Sequence, residues 1–185
     1  MPPTARDLTA GPCTLAVRQE RPADHRAVAA LHRAAFAPAA GTAEVVEARL
    51  VGELREDAGF LPHLSLVATD GDDVVGHVIG TRGWLEPLGA AAVGLGPLGV
   101  RPDAQGRGIG TVLVHALLAV AEAAGEHLVA LLGSPAYYGR FGFVRSTDLG
   151  ITPPDPAWGS HFQARRLAGP EQRGTFRYAE PFARL

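Results

Sequence analysis

Three glycines at alternating positions, Gly106, Gly108 and Gly110, constrain this chain more than any other feature. They follow an uncharged run over 90–100 and precede a long apolar helical pattern. Pro102 prevents further strand pairing after the run, so the glycines form a loop between a buried strand and a helix. Because glycine places no side chain between backbone amides and a ligand, the amides at the partly positive start of the helix stay accessible. The pattern therefore predicts a phosphate or diphosphate site.

Two other glycine-rich motifs are excluded as explanations. The run from Gly94 to Gly99 matches the pattern G-x-G-x-x-G, but it lies inside a predicted strand, contains Pro97 and leads to no helix, which excludes a dinucleotide fingerprint. The loop also lacks the Lys-Ser/Thr ending of a P-loop, so a nucleoside triphosphatase is not expected. A tight turn with close helix packing remains the structural alternative, although three glycines in five residues exceed that need.

The pattern of apolar residues predicts one α/β or α+β domain around a mixed sheet. We predict a flexible leader over 1–12 and a single domain over 13–185. Predicted strands cover Thr14–Arg18, 64–69, Val74–Thr81, Ala90–Val100, Leu128–Leu132, Phe143–Ser146 and His161–Leu167. One predicted helix begins at Pro22, a second runs from about Ala43 to Asp57, and a third runs from Gly106 to Ala124. A short helical turn is predicted over Pro135–Phe141. After Leu167 the chain reads as a tail.

Charge and composition exclude several classes of function. The formal net charge is −2, and all 17 basic residues are Arg, so no basic surface for nucleic acid and no Lys nucleophile is expected. No apolar run reaches the length of a membrane span, and no signal peptide is recognisable, which predicts a cytoplasmic protein. The single Cys13 excludes an intrachain disulfide. His25 and His32 share a helix face without an HExxH pattern, so no metal site is expected.

Two blocks of this sequence resemble the GNAT N-acetyltransferase superfamily. Gln105–Gly110 fits its Q/R-x-x-G-x-G/A signature, and the preceding Leu98–Pro102 looks like the strand before it. Leu132–Phe143, with Leu-Gly-x-Pro and Tyr-Tyr-x-Arg-Phe-Gly-Phe, is similar to the bacterial YhbS-like branch, as is the later Gly-Ile-x-Pro-Pro over 150–154. The resemblance implies a mixed, mostly antiparallel central sheet with flanking helices. In that sheet the two parallel strands over 90–100 and 128–132 splay apart.

The resemblance further implies acetyl-CoA as the acetyl donor and a primary amine as the acceptor. Tyr138, four residues before Gly142, takes the position of the general acid that protonates the departing thiolate, and its pKa of about 10 suits that role. Cys13 lies outside both blocks, which favours direct attack in a ternary complex over an acyl-cysteine intermediate. The backbone near Val100 would also bind the thioester oxygen. The positions implied to bind the cosubstrate are Leu98, Gly99, Val100, Gln105, Gly106, Arg107, Gly108, Ile109, Gly110, Thr111, Ser134 and Tyr137.

The sequence leaves the general base and the acceptor open. Many relatives carry a Glu in the strand over 90–100, and this chain has no acidic residue there. Glu44, Glu47 and His77 are alternatives, each also explained as a surface or structural residue, and Tyr138 is also explained as part of an aromatic core. The acceptor is a small molecule or a peptide or protein amine, and a homodimer is open. A non-catalytic CoA- or acyl-CoA-binding sensor or assembly module, and an unrelated phosphate-binding fold, are the competing hypotheses.

Overall fold

The computed structural model describes residues 15–37 and 45–184. The predicted leader, Cys13 and Glu44 lie outside the described residues. The strands are β1 (Leu15–Gln19), β2 (Phe60–Asp70), β3 (Asp73–Glu86), β4 (Ala90–Val100), β5 (Leu128–Leu132), β6 (Val144–Arg145), β7 (Ile151–Thr152), β8 (Phe162–Arg166) and β9 (Gly174–Arg177). The α-helices are α1 (His25–Ala35), α2 (Val46–Glu56), α3 (Ile109–Ala123) and α4 (Pro135–Tyr138).

The strands form one mixed sheet in the order β1-β2-β3-β4-β5-β8-β6. Neighbours along this path are antiparallel except β4 and β5, which confirms the predicted parallel central pair. Alternate residues of β2 face opposite sides of the sheet. Leu66 and Ala68 join the core under α3, whereas Val67 joins the core formed with α1 and α2. The sheet is therefore covered by helices on both faces.

The central strands β4 and β5 separate soon after they meet. They pair only at Val93 with Val129 and at Gly94 with Ala130. Beyond Gly94, β4 contains a bulge around the Gly96-Pro97 bond, where three steps along β4 match two steps along β3. The end of β4 stays on β3 and the end of β5 stays on β8, so a gap opens between them.

Several predicted element boundaries were wrong. Strand β2 begins at Phe60 and not at residue 64, and β3 runs to Glu86 and not to Thr81. The helix begins at Ile109 and not at Gly106, because Gly106 (φ 75°) and Gly108 (φ 80°) adopt left-handed backbone that no helix interior accommodates. The segment after Leu167 is not a simple tail, because β9 pairs with β3 and buries Phe176. Its strand pattern is only four residues long, which hid it from a search for periodicity.

Candidate functional site

The glycine loop, residues 105–108, leads into α3, and the start of this helix borders an open space. Gly108 is the residue before the first helical residue, and a β-carbon there or at Gly106 would meet no atom within 4 Å. Gly110 differs, because a β-carbon there would lie 2.7 Å from the Tyr137 hydroxyl oxygen. The first N–H groups of a helix have no intrahelical acceptor, so those at this helix start are suited to bind an anion.

A cavity of about 410 Å³ lies in front of this loop. It is lined by Leu98, Val100, Ala104, Gln105, Gly106, Gly108, Ile109, Gly110, Thr111, Tyr137 and Arg140. The structure therefore brings together nine of the twelve predicted cosubstrate positions. Arg107, Ser134 and Gly99 do not line it. Arg107 pairs with Asp70, with 3.0 Å between Nη2 and Oδ2, and Ser134 is an exposed residue just before α4.

The end of β4 presents alternate backbone groups to the gap. The Arg101 N–H donates to the Val75 carbonyl at 2.9 Å, which fixes the phase of the antiparallel ladder. Residues one and three positions earlier, Val100 and Leu98, therefore direct their N–H and C=O groups away from β3. The Val100 carbonyl also accepts a hydrogen bond from the Gln105 side-chain amide at 3.1 Å.

Gly99 has the opposite orientation. It pairs with His77 of β3, and a β-carbon on it would lie 2.9 Å from both His32 Nδ1 and Leu31 Cδ2 of α1. Its lack of a side chain therefore makes room for α1 and not for a ligand in the cavity.

A second cavity, of about 990 Å³, occupies the gap between β4 and β5. Leu95, Gly96, Pro97 and Leu98 form one side, and Leu132, Gly133 and Tyr138 form the other. Segments distant in sequence complete its walls, among them Phe36, Glu47, Asp155, Trp158, Thr175, Tyr178, Glu180 and Phe182. Leu98 lines both cavities, so the two spaces lie on either side of this residue.

The two adjacent tyrosines of α4 serve different cavities. Tyr137 lines the smaller one, with the Arg140 guanidinium 4.7 Å from its ring centroid. Tyr138 lines the larger one and packs edge-on against Tyr137 and Phe143, with ring centroids 4.9 and 5.9 Å away. Burial raises the pKa of Tyr138 to about 12, so its phenol stays protonated at neutral pH.

A buried chain of polar side chains lies behind β4. His32 Nε2 is 2.8 Å from His77 Nδ1, and His77 Nε2 is 3.1 Å from the Ser65 hydroxyl, which donates to Glu20 at 2.6 Å. Burial lowers the pKa of His32 to about 3 and also lowers that of His77, so both rings are neutral near pH 7. Burial raises the pKa of Glu20, but contacts with His77, Arg55 and Ser65 outweigh it and hold that pKa well below its usual range.

These buried polar side chains bear on one prediction and include one contact that was not predicted. His77 is fully buried and lines neither cavity, so its position favours the structural role over that of a base. The pairing of His32 with His77 was missed, because 45 residues separate them and no local spacing signals the contact.

The walls supplied by the C-terminal segment were also missed by the sequence analysis. Tyr178, Glu180 and Phe182 follow β9, whose pairing with β3 brings them to the larger cavity. The aromatic residues Phe176, Tyr178 and Phe182 were the available signal that this segment packs against the rest of the protein. Within the described ranges, no group of three or more His, Cys, Asp or Glu side chains could hold a metal ion. No helix in the part of the chain that the structure describes combines the length and apolar character needed to cross a membrane.

Comparison with known proteins defines the class to which this fold and site belong. The model of the acetyltransferase (GNAT) family matches residues 25–143, so the chain belongs to this family and is an acyltransferase. It is 36% identical over 173 residues to the uncharacterized N-acetyltransferase YhbS of Escherichia coli (strain K12), covering 91% of this chain and 99% of that protein. This confirms the resemblance to the YhbS-like branch.

Two solved structures share the fold over nearly the whole chain. The GNAT family N-acetyltransferase YhbS from Escherichia coli, in complex with CoA, has a TM-score of 0.84 and 32% identity, covering 97% of each chain. A GNAT family acetyltransferase from Brucella melitensis, in complex with acetyl-CoA, has a TM-score of 0.74 and 32% identity, covering 92% of this chain and 99% of that one. The predicted fold class is thereby confirmed.

Proposed function

We propose that this chain is an acetyl-CoA-dependent N-acetyltransferase that acetylates a primary amine by direct attack in a ternary complex. The observation that carries the proposal is that two adjacent cavities share Leu98, where β4 separates from β5. One cavity ends at the glycine-lined start of α3, which suits the diphosphate of CoA, and the other suits the acceptor. The relatives whose structures contain CoA or acetyl-CoA support the same assignment.

In this proposal the smaller cavity binds the donor, acetyl-CoA. Backbone amides of the glycine loop would bind the diphosphate, and the helix end itself contributes only about 0.3–2 kcal/mol. Several charge-assisted amide bonds, each roughly 1.5–3 kcal/mol, must therefore carry most of the affinity. The backbone groups of Leu98 and Val100 that point away from β3 would pair with the pantetheine arm. Gly99, Arg107 and Ser134 stay predictions without support from the cavity.

The reaction needs proton movements that the chain can supply in part. The ammonium form of the acceptor first loses a proton to solvent, and the neutral nitrogen attacks the thioester carbon. The N–H near Val100 would stabilise the anionic oxygen, an interaction typically worth about 2.7–4 kcal/mol. As the C–S bond breaks, Tyr138 gives its proton to the sulfur, and the proton lost from the new amide nitrogen restores the phenol. The products are the N-acetylated amine and free CoA thiol.

Replacing Tyr138 with Phe tests this mechanism. We expect Tyr138→Phe to lower kcat by about 100-fold or more, because a positioned general acid contributes about 10²–10⁴. The affinity for acetyl-CoA should change little, since Tyr138 lines the larger cavity and not the one in front of the glycine loop. Release of free thiol reports turnover, calorimetry reports affinity, and thermal unfolding checks that the variant is folded like the wild type. Unchanged turnover in Tyr138→Phe would remove this residue from the mechanism.

A non-catalytic CoA-binding module is the second candidate. The observation in its favour is that β4 carries no acidic residue to act as a base. Calorimetry with CoA and turnover across a panel of amines separate the two functions. Tight CoA binding without acetylation of any amine would favour the module.

Several broader predictions accompany the proposal. The leader over 1–12, the single domain over 13–185, the cytoplasmic location, the absence of a nucleic-acid partner and the homodimer all stay predictions. Sedimentation of the full chain tests the homodimer, because a monomer mass would contradict it.

A further inference from the structure

The larger cavity has predominantly apolar walls that include several aromatic rings. Phe36, Trp158, Tyr178 and Phe182 all line it, and the rings of Tyr178 and Phe182 lie 4.5 Å apart between centroids. Its volume of about 990 Å³ is at the upper end of the range for small-molecule sites. The space therefore accepts the whole body of a small molecule and offers it apolar and aromatic contacts.

The charges around this cavity are unbalanced. Its acidic lining residues are Glu47, Glu86, Asp155 and Glu180. Among the lining residues that the structure describes, Arg177 is the one with a cationic side chain. Arg177 is already engaged, because its Nε lies 3.1 Å from Glu86 and its guanidinium lies 4.4 Å from the Trp84 ring centroid. A carboxylate on the acceptor would thus meet negative charge without a free cation to balance it.

Glu47 is the acidic residue best placed to bind a cation. Asp155 accepts the Ala157 N–H at 2.8 Å, and Glu180 lies 3.9 Å from Arg184. Glu47, in the first turn of α2, is partly buried and makes no hydrogen bond or ion pair with any residue that the structure describes. Burial of a carboxylate costs free energy unless the charge is paired, so a cation bound at Glu47 would offset that cost. The aromatic rings that line the same cavity also attract an ammonium group.

We infer that the larger cavity takes small-molecule amines with an aromatic or bulky apolar body and no carboxylate, and that Glu47 holds the ammonium group of the incoming acceptor. The inference rests on the proposed function, because it names the acceptor class for the same transfer. The aromatic walls select the body of the molecule, and the acidic lining selects against amino acids and acidic peptides.

Matched pairs of amines test this selectivity. Tyramine and tyrosine, like tryptamine and tryptophan, share a ring and differ by a carboxylate. We expect kcat/KM for each amine to exceed that for its amino acid by about tenfold or more, which corresponds to at least one unfavourable charge contact. Thiol release at saturating acetyl-CoA measures both members of each pair.

Glu47→Gln tests the assigned carboxylate, with the exposed Glu56→Gln at the other end of α2 as the control. We expect Glu47→Gln to raise KM for tyramine by about tenfold or more, since charge pairing is lost, while KM for acetyl-CoA stays as in the wild type. Discrimination against tyrosine should also fall. Glu56→Gln should match the wild type in every measurement.

The outcomes distinguish this inference from the function on which it rests. Equal kcat/KM within the pairs, acetylation of amino acids or polyamines without that of tyramine and tryptamine, or an unaffected Glu47→Gln variant overturns the inference and leaves the acetyltransferase proposal standing. Loss of both acetyl-CoA binding and turnover with every amine in the wild-type protein overturns the proposed function, and the inference with it.

Discussion

Gly108→Ala separates the ligand role of the glycine loop from its role in the fold. Gly108 has φ 80°, and Gly125, just past the other end of α3, has φ 79°. A β-carbon would meet nothing within 4 Å at either position. The left-handed backbone costs a residue with a side chain roughly 1–2 kcal/mol, so both alanine variants should fold with Tm lowered by about 2–8 °C.

Only the Gly108 variant should lose affinity for CoA. The new methyl group would enter the smaller cavity, where the diphosphate is proposed to lie. Loss of one charge-assisted amide bond, about 1.5–3 kcal/mol, raises the Kd for CoA by about 10- to 100-fold. Calorimetric titration with CoA, together with thermal unfolding of both variants, measures this. If Gly108→Ala and Gly125→Ala bind CoA equally well, the diphosphate does not lie on this loop and the assignment is refuted.

Three further predictions concern the buried polar groups. The free energy of unfolding should fall on acidification, because burial lowers the pKa of His32 from 6.5 to about 3, so the unfolded chain binds a proton that the folded protein does not. This free energy is unaffected above pH 6.5 and falls by up to about 5 kcal/mol as the pH drops toward 3. The lowered pKa of Glu20 extends the loss to lower pH. Urea unfolding across this pH range measures it, and a flat profile would contradict it. Gly99→Ala should cost about 1–3 kcal/mol of stability by crowding the His32 ring, which thermal unfolding would detect as a lower Tm. Glu126→Ala should cost about 3 kcal/mol in denaturant unfolding, because it leaves the largely buried Arg82 without its paired carboxylate at 2.6 and 2.7 Å, and the double variant with Arg82→Ala should cost less than the sum of the two single variants.

The sequence predicted best what local chemistry determines. Strand β4 has the predicted bounds, because Gly89 and Pro102 interrupt the chain on either side of an uncharged run. The open approach to α3 was predicted from glycines whose backbone conformations only glycine adopts readily. These features depend on residues close together in the chain, so a single sequence is enough to find them.

The features that the sequence did not reveal depend on contacts between distant segments. The larger cavity brings α1, α2, β4, α4 and β9 together, and no spacing within one segment predicts that meeting. The pairing of His32 with His77 is of the same kind. Glu47 was named as a candidate general base, but only the structure shows that it makes no hydrogen bond or ion pair within the described residues.

The two cavities draw on different parts of the chain. The smaller one is built entirely from residues between Leu98 and Arg140, a contiguous stretch inside the region that matches the family. The larger one takes much of its wall from residues beyond Tyr138, including Trp158 and Tyr178, which lie past the end of that region. Under the proposed assignment of the larger cavity to the acceptor and the smaller one to CoA, mutations in the C-terminal segment would change the preferred acceptor while leaving the residues that bind CoA unchanged.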